Sequence, residues 1–432
     1  MRLEPIHAGS LSGCTKGMPG AMAELPLAAI ASRHWNILKE DLPLPVAVLK
    51  ETALSNNRRW MRQFLDRSGA KIAPHRKTTK TPQLFQMQLD DGAWAITAAT
   101  AHQIAVYRRF GVSRIFLANQ LVGRANIAFV LAELKRDPEF DFYCLVDSID
   151  GVDQLAHMAG EISAGRPLQL LVELGVEGYR TGARTADEAM AIARRVKAYE
   201  PLLALRGIEA YEGVLHGVDD AATDAMVEAL LDGVVRLARR CKDEALFAAG
   251  PIILSAGGSG HFDVVARALR AHDLGPDAFV LLRSGCYITH DAAPLQRNFE
   301  RIKERSPEMA DIAPAPSPAL EVWGYVQSRP ERNLALVTIG KRDISCDVEM
   351  PTPILWFRPG AQDRPQKLGA DYKITKLNDQ HAYLVLPTES PLKVGDMVAC
   401  GVSHPCTTFD KWNVLCIVDD EYNVTGAVRT YF

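Results

Sequence analysis

PLQLLVELGVEGYRTGARTADEAMAIARRVKAYE, residues 167–200, carries one complete strand–loop–helix unit. Its first part, PLQLLVELG (167–175), is an aliphatic run of strand length. Its last part, TADEAMAIARRVKAYE (185–200), places apolar residues at i, i+3, i+4 and i+7 and reads as an amphipathic helix. The same alternation recurs on both sides. Strand candidates are AKIAPHR (70–76), AWAIT (93–97), RIFLA (114–118), DFYCLVD (141–147), AYEGVL (210–215), PIILSAG (251–257) and AFVLLR (278–283). Between them lie helical patterns such as TAHQIAVYRRFG, RANIAFVLAELKRD and GHFDVVARALRAHD. Eight alternations over roughly 220 residues fit an α/β chain closed into a (β/α)₈ TIM barrel better than an open doubly wound sheet.

An extra apolar run, LPVAVLK (44–50), precedes the first unit and is followed by the helical LSNNRRWMRQFLDRS. A ninth strand does not fit a closed barrel, so it is assigned to a second domain beyond the Pro-rich linker APAPSPAL (313–320). From Val322 the pattern changes to short alternating runs (VWGYVQS, LALVTIG, AYLVLP, DMVACGV, WNVLCIV, VTGAVRTYF) with turn residues between them, an antiparallel β domain. The expected organisation is a disordered, Gly/Ser/Pro-rich 1–20 with Met18 as an alternative start, a segment 21–52 contributing a strand to the β domain, a barrel over 53–305, and the β domain over 320–432.

Lys+Arg (49) nearly balance Asp+Glu (52), and the net charge of -3 gives no basic face to recruit nucleic acid or an anionic membrane. A small molecule is the expected partner. No run approaches the length of a membrane span, and the start lacks an apolar core behind a basic segment. The eight cysteines are scattered without CxxC pairs, as in a reduced compartment, and the cytoplasm is the expected location.

Barrel ligands bind where strands end, and phosphate is commonly held after strands seven and eight. After the seventh candidate comes SAGGSGHF (255–262), where Gly257, Gly258, Ser259 and Gly260 form a plausible phosphate cup at a helix start, although ordinary turns use the same residues. After the eighth comes RSGCYIT, where Gly285 can add a backbone donor and Tyr287 a hydroxyl. The first strand leads into HRKTTK: Lys77 stands at the mouth, where a lysine can form a Schiff base with a phosphate-bearing aldehyde, helped by the cations Arg76 and Lys80. A solvated basic turn is the alternative, and spacing does not decide between them. In the β domain, GVSHPCTTFDKW (401–412) offers His404 and Cys406 two residues apart. On an extended segment both face one side, where imidazole and thiolate suit zinc with open positions; a packed histidine beside a buried thiol is the competing reading. The other six cysteines and the remaining histidines read as packing or surface residues.

Taken in order, PHRKTTK, ELGVEGYRTGA (173–183), AYEGVLHG (210–217), SAGGSG, the Gly-x-Tyr after strand eight and SHPC resemble the D-serine dehydratase and D-threonine aldolase family, pyridoxal phosphate enzymes activated by a metal and built on the alanine-racemase-like fold. The resemblance runs from about Leu44 to Phe432. It implies that the cofactor is carried by Lys77, with His75 in the same motif, that Arg180 approaches the pyridine side, and that Tyr211 lies near cofactor and substrate. It also implies a homodimer and a divalent metal on His404 and Cys406, a His-x-Cys pair of the dehydratase type that favours zinc, whereas the aldolases resemble His-x-Asp. Departures from the pattern fall at Ala73, Thr79 and Ser403, where relatives have arginine, histidine and asparagine.

On this reading Lys77 is both anchor and general base for the Cα proton of a D-3-hydroxyamino acid, and zinc on His404 and Cys406 polarises the β-hydroxyl as it leaves. D-serine would yield pyruvate and ammonia. The alternatives are a D-threonine aldolase-type lyase giving glycine and aldehyde, a non-catalytic pyridoxal phosphate carrier, and a racemase, in which the metal pair would have no task.

Overall fold

The computed structural model describes residues 1–270, 274–306, 309 and 311–431. It divides into two compact units, one of Arg62–Lys77 and Gln88–Gly285 together with Met1, the other of Arg2–Met61, Thr78–Met87 and Cys286–Phe432.

The first unit is a parallel eight-stranded sheet with strands Lys71–Ile72, Ile96–Ala98, Arg114–Gln120, Asp141–Val146, Leu168–Leu174, Leu203–Ala210, Ile253–Ala256 and Phe279–Leu282. From the second onward each strand pairs with the next, and the eighth pairs with the first. Backbone bonds then close the ring: Trp94 N–H to Ile72 O at 2.8 Å, Thr97 N–H to Pro74 O at 3.0 Å, and Arg76 N–H to Thr97 O at 3.0 Å, around a parallel His75–Thr97 bridge. Closure removes the unpaired edges an open sheet would carry. Inside, Ala73, Ala95, Phe116, Ala118, Tyr143, Leu145, Leu171, Ile253 and Leu281 pack into one buried cluster, and the i, i+2 spacing of Phe116/Ala118 and Tyr143/Leu145 is that of residues sharing one face of a strand.

The helices between strands start where the chain supplies side-chain caps. Thr100 accepts from Gln103 N–H, Ser148 from Gly151 N–H, and Asp219 from Ala222 N–H. Thr185 and Glu188 form a full capping box at the head of Ala186–Ala198.

The sixth strand is displaced from its expected place. It is Leu203–Ala210, and of AYEGVL (210–215) only Ala210 lies in it; the rest is the loop that leaves it, turned by a Leu215 N–H to Glu212 O bond of 3.0 Å. Arg206, Gly207 and Glu209 interrupt the apolar run in LALRGIEA, which hides its strand character. Gly207 is required by a close approach, since a Cβ there would stand 1.9 Å from Ile253 O of the neighbouring strand. The helix expected over GHFDVVARALRAHD spans only Phe262–Ala268, and residues 271–273 of that pattern lie outside the described residues.

The second unit is built on antiparallel β-structure. Leu320–Glu331 pairs antiparallel with Met397–Gly401, with Leu334–Val337 and with Val46–Lys50. The strand Val46–Lys50 also pairs in parallel with Val414–Val418, and its Ala47, Val48 and Leu49 are fully buried. Residues 1–20 are not a disordered leader. Ser10–Leu11 pairs with Leu25–Pro26, and Ile6 and Leu11 are fully buried, two apolar anchors that the surrounding Gly, Ser and Pro conceal. The helix Pro294–Arg305, expected with the barrel, falls in this second unit. Among the described residues no helix is long and apolar enough to cross a membrane.

Candidate active site

In the barrel unit the motif residues all follow strand ends on one side of the sheet, the side on which this architecture places its ligands. His75 and Lys77 follow the first strand, Arg180 the fifth, Tyr211 and Glu212 the sixth, Gly257 and Gly258 the seventh, and Arg283–Ser284–Gly285 the eighth. Lys77 is exposed, and its backbone N–H donates to His75 Nδ1 at 3.4 Å, which leaves that nitrogen as the acceptor of the ring. Burial holds the His75 imidazole well below its ordinary pKa, and the cations Lys77, Arg283, Arg76 and Arg180 push it further down. His75 is therefore a neutral ring at physiological pH. Gly285 lies so close beneath it that a Cβ would stand 2.1 Å from His75 O.

Arg180 lays its guanidinium over the Tyr211 ring at 4.4 Å from the centroid, and Arg283 stands 5.7 Å from the same ring. Arg184 holds the loop that carries Arg180, donating to Thr181 O at 3.1 Å and Tyr179 O at 3.1 Å.

The glycine loop differs from the expected open cup. Gly257 N–H donates to Glu212 Oε2 at 3.0 Å and Gly258 N–H to Glu212 Oε1 at 2.6 Å, so a fully buried carboxylate engages the two amides assigned to phosphate. Ser284 Oγ donates to Gly257 O at 2.9 Å and Gly258 O at 3.1 Å, bracing the loop from its other side. Gly257 has φ +97°, a conformation that favours glycine. The following helix, Phe262–Ala268, is two turns at most, and its N-cap residue His261 makes no side-chain cap bond. Ser259 and Gly260 are half-buried beside the loop.

Below the loop lies a buried polar layer. Arg283 pairs with Glu209 and donates to Ala210 O at 2.8 Å. Glu173 accepts from Gln120 Nε2 at 2.5 Å and from Thr181 Oγ1 at 2.7 Å. Burial pushes the Glu209 carboxyl up to about 8, against the pull of Arg283 and with the help of Glu173. Between the ordinary 4.5 and about 8 the folded chain then holds a proton that the unfolded chain has lost, so this group makes stability fall as pH rises through that window. Glu209→Gln, neutral at every pH, is expected to flatten this part of a melting-temperature profile recorded from pH 5 to 9, as measured by circular dichroism; an unchanged slope would mean that Glu209 is ionised throughout.

In the second unit, His404 precedes the short helix Pro405–Phe409, and Cys406 lies in the first turn of that helix. The two are thus not on an extended segment as expected from spacing alone, because Pro405 at the first helical position turns the chain. His404 Nδ1 meets Asp347 Oδ2 at 2.6 Å, and Thr407 Oγ1 donates to Asp347 Oδ1 at 2.8 Å. Burial works to raise the Asp347 carboxyl, but the hydrogen bonds from Thr407 and His404 outweigh it and hold the group below its ordinary value. A carboxylate on Nδ1 fixes the ring and its tautomer, an arrangement that also accompanies histidine metal ligands. Among the described residues no group of three or more His, Cys, Asp or Glu side chains is arranged to hold a metal, so His404 and Cys406 stand as a two-ligand candidate. Tyr287 is buried in the 3₁₀ turn Cys286–Ile288 of this unit. Lys80 Nζ pairs with Asp410 Oδ1 at 2.7 Å.

The alanine racemase N-terminal domain model matches residues 49–268, just over half of the chain. The chain belongs to that family. A second model, the serine dehydratase domain, matches residues 319–418, so this member of the alanine racemase family combines the two modules of the D-serine dehydratase and D-threonine aldolase group. Its relatives include D-threonine aldolase of Arthrobacter sp., 24% identical over 87% of this chain and 89% of that protein. D-threo-3-hydroxyaspartate dehydratase of Delftia sp. (strain HT23) is 27% identical over 58% of this chain and 62% of that protein. A solved structure of D-threo-3-hydroxyaspartate dehydratase, a cysteine-to-alanine mutant in the metal-free form, covers 92% of this chain and 100% of its own at 20% identity with a TM-score of 0.71. At that identity the likeness establishes the fold.

Three participants in this family member were missed from sequence. Glu212 and Arg283 are flanked by motif residues but carry no pattern of their own, and Asp347 lies 57 residues before His404 in a stretch without regular structure. Only the fold brings them to their partners.

Proposed function

We propose that this chain is a pyridoxal phosphate- and divalent metal-dependent lyase acting on D-3-hydroxyamino acids, a dehydratase of the D-serine deaminase type that releases a keto acid and ammonia. The residues present fit the cofactor. The Gly257 and Gly258 amides bind a carboxylate, that of Glu212, and so are directed as anion donors; and Lys77 presents an exposed amine after the first barrel strand. The imidazole of His404, oriented by Asp347, and the soft sulfur of Cys406 fit a borderline ion such as zinc.

When bound, pyridoxal phosphate supplies an electron sink for the Cα carbanion and the metal a Lewis acid for the departing β-hydroxyl. Lys77 holds the cofactor covalently and, once its amine is freed by substrate, takes the Cα proton. Neutral His75 accepts the Lys77 backbone N–H at its Nδ1 and so fixes the turn that presents the lysine. Tyr211, capped by Arg180, orients cofactor and substrate. Ser259, Gly260 and Gly285 offer donors for the phosphate beside the Gly257–Gly258 turn, whose own amides are held by Glu212. With arginine rather than a carboxylate on the pyridine side, persistent carbanion chemistry such as racemisation is disfavoured, and elimination is the outcome. The assembly is a homodimer.

The observation that carries the choice of dehydratase is the thiol of Cys406 two residues beyond a carboxylate-anchored histidine. The D-threo-3-hydroxyaspartate dehydratase relative, whose cysteine mutant was obtained metal-free, supports the same choice. A panel of D- and L-amino acids, with and without a β-hydroxyl and with and without added zinc, tests the reading. Ammonia is expected only from D-isomers bearing the hydroxyl and only with zinc. Equal release from L-isomers, or no release from any hydroxyamino acid, would refute it.

A further inference from the structure

Cys286 and Cys406 are separated by 120 residues of chain and bring their sulfurs to 4.0 Å. One hydroxyl bridges them: Thr78 Oγ1 is 3.3 Å from Cys406 Sγ and 3.4 Å from Cys286 Sγ. All three residues belong to the second unit, and both cysteines are partly exposed. Cys241, Cys400 and Cys416, by contrast, are buried, and burial pushes each thiol up to about 12, which suits them to inert packing. Cys286, which spacing alone grouped with the packing cysteines, is thus placed against the candidate metal ligand.

We propose that Cys286 and Cys406 form a peroxide-sensitive dithiol, a reversible modification site whose closure into a disulfide withdraws Cys406 from metal binding. The effect on metal rests on the function proposed above; the disulfide itself does not. A disulfide bond is about 2.05 Å long, so the sulfurs must approach by roughly 2 Å, within the swing of two side chains about their Cα–Cβ bonds. Hydrogen peroxide is the oxidant. One thiol sulfur attacks the O–O bond and becomes a sulfenic acid, its proton leaving with the displaced oxygen as water. The second thiol then attacks that sulfur, the S–O bond breaks, and its proton leaves with the hydroxyl as a second water. Two thiols are oxidised and one peroxide is reduced. A metal on Cys406 occupies the sulfur and protects the pair.

The full-length protein, zinc-loaded or stripped with a chelator, is treated with hydrogen peroxide and read by intact mass, non-reducing peptide mapping and bound-zinc analysis. The stripped protein is expected to lose about 2 Da, to yield a cross-linked peptide joining Cys286 to Cys406, and to recover with dithiothreitol. Zinc loading slows the linkage. Cys286→Ser, or Cys286→Ala should serine not fold, abolishes the cross-link while leaving zinc bound under reducing conditions. A gain of about 32 Da on Cys406 without a cross-link, or linkage only between other cysteines, overturns the proposal. A reduced protein that binds no zinc defeats the metal reading, and the cross-link still decides the dithiol.

Discussion

Lys77→Ala is expected to lose at least roughly 10⁴ of turnover, because a single substitution removes both the covalent anchor and the base for the Cα proton. Its visible cofactor absorbance should vanish with the activity. Lys80→Ala is the matched comparison. Lys80 pairs with Asp410 at 2.7 Å, and an ion pair of this kind contributes at most about 1 kcal/mol, so this variant should stay within about tenfold of the parent. Absorbance spectra and initial rates on D-serine distinguish the two. Turnover that survives in the Lys77 variant and disappears in the Lys80 variant would reverse the assignment of the two lysines.

Removing the metal should have the next largest effect. Hydroxide is a poor leaving group, and Lewis-acid assistance worth several kcal/mol corresponds to about 10³ in rate. Chelation, or Cys406→Ala, should therefore stop keto acid formation by roughly that factor while the cofactor absorbance stays intact. Asp347→Asn leaves both ligands in place but takes the negative charge from His404 Nδ1, and second-shell changes of this kind weaken metal by about 10- to 100-fold. Zinc titrations followed by rate should show that loss as a higher zinc requirement, with saturating zinc restoring most of the rate. Full activity in metal-free buffer would remove the metal from the reaction.

What could be read from sequence followed the range over which its causes act. The alternation of strand and helix is local, and seven of the eight barrel strands lie where aliphatic runs place them. The exception, Leu203–Ala210, hides because polar residues and a glycine break its apolar run: Glu209 pairs with Arg283 in the buried layer, and Gly207 allows the neighbouring strand to approach. The N-terminal Val46–Lys50 was legible as a strand of the β domain, since a closed eight-stranded ring has no place for a ninth. The first 20 residues were misjudged because composition counts Gly, Ser and Pro but is blind to where Ile6 and Leu11 end up.

At the site, motif residues announced themselves by type and spacing, whereas their supports did not. Glu212 reaches the amide of Gly257 across 45 residues, Asp347 reaches His404 across 57, and Cys286 reaches Cys406 across 120. Nothing in local chemistry marks such pairs; the barrel's closure and the sheet of the second unit create them. Glu212 also changes the meaning of the glycine loop, since its amides are anion donors that the protein already employs.

D-threonine puts two outcomes before one enzyme, elimination of water, which the proposed dehydratase performs, and cleavage of a carbon–carbon bond, which an aldolase performs. With zinc-loaded protein, product analysis by mass spectrometry should find 2-oxobutanoate and ammonia in equal amounts. Glycine and acetaldehyde as the main products would overturn the dehydratase assignment and make the chain an aldolase.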